Sequence, residues 1–93
     1  MNDAESLFEI KQKVWHEIVQ NLELPSTRLL VNEHVSLYDF VESINQQGDP
    51  HIIIRLKVAP FWHASVRSRL GSLENSATEV LGSVEVLLME AEN

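Results

Sequence analysis

The residues with most chemistry to offer are four histidines, His16, His34, His51 and His63, among fourteen carboxylates. Imidazole and carboxylate side chains bind metals and move protons, but only when their spacing brings several to one point. No pair here forms H-x-H, H-x-x-x-H or H-E-x-x-H, and no cysteine completes a ligand set. Surface or edge histidines are therefore expected. The serines are plentiful, yet none lies in G-x-S-x-G, and no G-x-x-x-x-G-K-[ST] phosphate loop is present. A chain of 93 residues has little room to surround a substrate. The expectation is a protein without catalytic machinery, cofactor or metal site.

Binding chemistry is better represented. Trp15 and Trp62 are the main aromatic anchors, each on an apolar helical stripe where tryptophan is usually core. Phe61 and Trp62 are adjacent and cannot easily both point inward, so one of them is a candidate hot spot. The cations with any grouping are Arg55 and Lys57 on a strand, with Arg67 and Arg69 on a helix. His63 and Arg67 lie four apart, which suits a solvated helix face.

Composition narrows the partners. The formal charge is −7. Phosphate neutralisation drives nucleic-acid binding, so an acidic chain without a strong basic cluster is a poor nucleic-acid or anionic-membrane ligand. Hydrophobic residues make up 44%, which is too high for a disordered tail. The absence of cysteine removes disulfides and thiolate chemistry and favours a reducing cytoplasm. No apolar run is long enough to span a bilayer, and residues 1–9 do not read as a signal peptide.

These side chains are positioned by a short series of elements. Ser6 and Glu9 form an S-x-x-E capping box. Leu7, Phe8, Val14, Trp15, Ile18, Val19 and Leu22 follow as one helical stripe that ends near Leu22, because Pro25 disfavours helix at Leu24. A short helix starts at Pro25, with Ser26 or Thr27 as cap. Residues 35–44 have strand composition but unclear alternation. Asn45–Pro50 is a turn, and the next strand alternates Ile52, Ile54, Leu56 and Val58 against Ile53, Arg55 and Lys57. Pro60 opens a long helix carrying Trp62, Val66, Leu70, Leu73, Ala77 and Val80, with Gly71 a candidate kink and Gly82 a left-handed C-terminal cap. The last strand turns Val84, Val86 and Leu88 inward and Glu85, Leu87 and Met89 outward. The core spans about residues 6–89, with fraying expected at 1–5 and 90–93.

The result is one α+β domain ordered helix, helix, strand, strand, helix, strand, with a three-stranded sheet and its helices on one face. The helix between the second and third strands makes a crossover, which requires those strands to be parallel. The uncovered sheet face then holds Ile53, Leu87 and Met89 inside a polar rim of Arg55, Lys57 and Glu85. That arrangement suits a protein partner or a homodimer.

The runs Val14-Trp15-His16-Glu17-Ile18 and Leu24-Pro25-Ser26-Thr27-Arg28-Leu29-Leu30 resemble the start of a C-terminal domain of bacterial DNA polymerase III clamp-loader gamma/tau subunits. Ala59-Pro60-Phe61-Trp62, Val66, Arg69-Leu70, Leu73-Glu74, Ala77 and Val80–Val86 resemble its long helix and final strand. The same order is similar to the N-terminal domain of the replication initiator DnaA, which implies a KH-like α-α-β-β-α-β fold. The resemblance covers about residues 7–89. It implies a docking module of the replication machinery, partnered by a polymerase or helicase component. The phosphate loop and zinc module of the gamma/tau ATPase are missing, so no ATPase activity carries over. The KH topology also raises RNA binding, but Gly48, Gly71 and Gly82 form no G-x-x-G clamp.

Overall fold

The computed structural model describes the backbone of residues 3–90 and the side chains of residues 7–90. Helices α1 (Asp3–Gln20) and α2 (Pro25–His34) lead into strands β1 (Val35–Ile44) and β2 (Pro50–Val58). A 3₁₀ turn at Pro60–Trp62, helices α3 (His63–Arg67) and α4 (Leu70–Leu81), and strand β3 (Val84–Glu90) complete the order. The sheet order is β1-β2-β3. β1 and β2 are antiparallel and β2 and β3 parallel, with Ile54 opposite both Phe40 and Val86. The expected α+β class and the parallel pairing across the helical crossover are thus observed.

Strand alternation sets the core. Ile54, Leu56, Val58 and Val86 turn to one face and are buried with Trp15, Ile18 and Val19 of α1 and Leu22 just after it. Val31 of α2, Val66 of α3 and Leu73 and Ala77 of α4 join the same cluster. Burying one such aliphatic side chain contributes about 1.5–3 kcal/mol. The opposite sheet face carries no helix among the described residues.

Several local expectations are corrected. α1 is already helical at Asp3, so Ser6 lies inside it and is not its cap. The regular structure runs from Asp3 to Glu90, and residues 1–2 and 91–93, part of the ends expected to fray, lie outside the described residues. Leu7 and Phe8, expected on the buried stripe, are exposed; the stripe is buried only from Trp15 onward. α2 has Leu24 as its N-cap with no side-chain bond, and Pro25 occupies the first turn, where its missing N–H costs nothing. The long helix from Pro60 is broken at Ser68–Arg69, ahead of Gly71. There Arg69 N–H turns back to Val66 O at 2.9 Å, a tight three-residue bond, and Ser68 Oγ donates to Ser65 O at 2.6 Å. Gly82 does have positive φ (89°), but its ψ of −129° lies outside the left-handed helical region.

The unclear alternation of 35–44 has a structural cause. The β1–β2 register passes from Leu37 opposite Leu56 to Asp39 opposite Arg55, leaving Tyr38 as a bulged extra residue. A bulge breaks period-2 patterning wherever it falls. The hairpin beyond is closed by Asn45, whose Oδ1 accepts the N–H groups of Gln47 and Asp49, both at 3.0 Å. Gly48 supplies the positive φ of 82° that this turn needs.

Candidate binding surfaces

Period-2 geometry delivers the expected outer sheet face. Ile53, Arg55 and Lys57 of β2 lie beside Glu85, Leu87 and Met89 of β3, at paired positions. Leu87 is 42% exposed, while Ile53 and Met89 are half-buried by their neighbours. The bulge adds a residue that sequence reasoning did not place here. The Tyr38 ring lies on this face with Lys57 Nζ 4.9 Å and Arg55 Cζ 5.2 Å from its centroid. Both cations interact favourably with the ring quadrupole, which holds the phenol on the surface.

Asp39, next to the bulge, ties the sheet edge to α1. Lys11 Nζ donates to Asp39 Oδ1 at 2.7 Å, and Arg55 Nη2 is 3.7 Å from Oδ2. Phe40 N–H also donates to Asp39 Oδ1, at 2.8 Å. The Lys11 hydrogen bond is the main reason the Asp39 carboxyl is held below the usual carboxylate range. Partial desolvation opposes it, and the Phe40 N–H and the charges of Lys11 and Arg55 assist.

Phe61 and Trp62 separate as anticipated, and they lie away from the sheet face. Phe61 is 86% exposed on the 3₁₀ turn. Trp62 is half-buried, stacked on His34 at 4.1 Å with an interplanar angle of 14°, and meets the Phe61 ring edge-on at 5.4 Å. The seven predicted partner-binding residues therefore do not form one patch: Ile53, Arg55, Lys57, Leu87 and Met89 share a sheet face, and the Phe61–Trp62 pair forms a second, smaller projection.

A larger surface was missed. Among the described residues nine large apolar side chains are exposed, and five of them line one edge of the molecule. Leu7 (54%) and Phe8 (60%) of α1 line one depression with Tyr38, Leu7 and Ile10 (57%) line a groove next to it with Phe40 and Val41, and Ile44 (73%) lines a third hollow that shares Glu42, Ile52 and Leu81 with that groove. The groove, about 350 Å³, lies between Leu7, Ile10 and Val14 on one side and Phe40, Val41 and Ile52 on the other. The signal in the sequence was Ile10 beside Leu7 and Phe8, which makes the first turns of α1 apolar over more of their circumference than one buried stripe requires.

No group of three His, Asp or Glu side chains converges as a metal site among the described residues. Nor is any described helix long and apolar enough to cross a membrane. Compared with known proteins, the chain matches no family model, no curated protein and no solved structure.

Proposed function

We propose that this chain is a non-catalytic protein-binding module that engages its partner along β1, through the α1–β1 groove and the adjoining outer sheet face. The observation that carries this reading is the gathering of Leu7, Phe8, Ile10, Tyr38 and Ile44 along one edge. A monomer gains nothing from aligning exposed apolar side chains, whereas an interface core needs them. Arg55, Lys57, Lys11 and Glu42 around them supply a polar rim.

The finer assignment is a KH-like adaptor of DNA replication, akin to the clamp-loader gamma/tau C-terminal domain and to the DnaA N-terminal domain. Its support is the resemblance of the segments around Trp15, Pro25 and Pro60, together with an element order and mixed sheet compatible with it. Titration of the chain against purified replicative polymerase and helicase subunits tests both levels. Saturable binding weakened by Ile10→Asp or Leu87→Asp is expected. Binding untouched by either variant would remove this surface from the function, and no binding to any subunit would remove the replication assignment.

One observation favours a second reading, a nucleic-acid module. Tyr38 between Arg55 and Lys57 on an open sheet is the arrangement on which single-stranded bases stack. The charge of −7 and the neighbouring Asp39 and Glu85 weigh against it. Fluorescence anisotropy with short single-stranded DNA and RNA is expected to give no appreciable affinity at physiological salt. Micromolar binding with a steep salt dependence would promote this reading over the first.

A further inference from the structure

Resting on the protein-binding reading, we infer its mode and ligand chemistry: β1 accepts an extended segment of a partner as a fourth strand, paired main chain to main chain along Val41–Ile44. Among the described residues the sheet order leaves β1 with β2 as its only neighbour, so its other edge presents N–H and C=O groups that no described strand pairs. Such a row is satisfied by another extended main chain and not by a helix, whose own groups are already bonded. The groove opens toward this edge at Val41 and Glu42, so the side chains of an added strand that turn to the helix-covered face would meet Leu7 and Ile10.

The first half of β1 is closed to such pairing. Tyr38 bulges out of register, and Asp39 takes both the Phe40 N–H and Lys11. Bulges and inward-held charges are the devices that keep an edge from pairing. Beyond them, Val41–Ile44 follows the β2 register without a shift, with the apolar groove alongside. Charge narrows the occupant further. Lys11 also lines the groove but is held by Asp39, which leaves Glu42 as the charge it offers; with the chain at −7, the favoured segment is apolar at alternate positions with Lys or Arg between them.

A phage-displayed random decapeptide library panned against the whole chain tests this, with the best peptide resynthesised and N-methylated at alternate amides. The expected sequences alternate apolar and basic residues. N-methylation on the edge-facing amides should weaken binding by about tenfold or more, and methylation of the other set far less. The amides of Val41–Ile44 that point away from β2 should gain hydrogen-exchange protection. Ile10→Asp, an exposed position whose fold is checked by circular dichroism, should weaken peptide binding, while Leu87→Asp, on the outer face that only a whole partner would reach, should not. Apolar residues at helical spacing, indifference to N-methylation, or loss of binding on Leu87→Asp alone would overturn strand addition and leave the protein-binding reading standing. A concentration-dependent dimer broken by Ile10→Asp would also overturn it, because a second copy would then be the occupant. A library yielding no peptide would overturn it as well, and the polymerase and helicase titration would decide the broader reading separately.

Discussion

Three polar residues test how finely this small fold is balanced. Ser76 is buried on α4 and its Oγ donates to Ile18 O of α1 at 2.6 Å. That carbonyl lies in the last turn of α1, where Leu22 N–H has turned to Val19 O instead. Ser76→Ala should therefore cost about 1–3 kcal/mol in urea denaturation, the penalty of a buried unpaired acceptor. Thr27 is the converse case, since its buried Oγ1 has no partner. Thr27→Val keeps the shape and removes the unsatisfied group, so it should be neutral or stabilising by up to about 1 kcal/mol. Asp39 adds a pH dependence. Its carboxyl is lowered chiefly by Lys11, so its stabilisation is fully present above the unfolded value of about 3.9 and is lost as pH falls through the lower folded value. The pair is more than a quarter exposed on both sides and thus screened. Asp39→Asn should cost about 0.2–1 kcal/mol at neutral pH, with the difference from the parent vanishing in acid melts.

At the scale of elements, the two ends of α4 depend on glycine in opposite senses. Gly71 sits in the first turn of the helix with no atom within 4 Å of where a Cβ would lie. Gly71→Ala should raise stability by about 0.5–1 kcal/mol, because alanine loses less backbone freedom on folding. Gly82 has equal space, but its φ of 89° and ψ of −129° are open almost solely to glycine. Gly82→Ala should lower stability by about 1–3 kcal/mol, because the turn between α4 and β3 must keep that geometry. Thermal melts of the two variants, measured side by side, should shift in opposite directions. Equal shifts would mean that space, and not backbone conformation, governs both positions. The sequence exposed this contrast only in part: both glycines stood out as punctuation, but the helix break fell at Ser68–Arg69, where no proline or glycine marks it. Its cause is local serine bonding to the main chain, which competes with the helix and leaves little trace in the pattern of apolar residues.

For the molecule as a whole, the one-sided arrangement of helices predicts two classes of apolar residue. Leu56 and Leu73 are almost fully buried in the core. Either one changed to alanine should cost about 2–5 kcal/mol, a large share of the 5–15 kcal/mol typical of a small domain. Leu87 lies on the open sheet face, and Leu87→Asp should change monomer stability by no more than about 1 kcal/mol. Denaturant titration of the three variants checks this. A Leu87→Asp loss as large as that of Leu73→Ala would mean that the outer face is core.

What the amino-acid sequence determined by itself is whatever repeats with a local period. Alternation in 52–58 and 84–88 assigned each strand residue to its face, and the intervening helix required β2 and β3 to be parallel, because a crossover returns the chain in the same direction. Ile53, Arg55, Lys57, Leu87 and Met89 were therefore legible as neighbours before any coordinates. Tertiary structure alone decided how far each periodic stripe is actually covered. α1 is apolar from Leu7, yet only the stretch from Val14 meets the core, and Leu7 and Ile10 lie beside Phe40 and Val41 of β1 instead. The Tyr38 bulge likewise depends on the β1–β2 register and on Lys11 of α1 reaching Asp39. Such features are set by where elements end in space relative to one another, a distance that no local pattern of residues encodes.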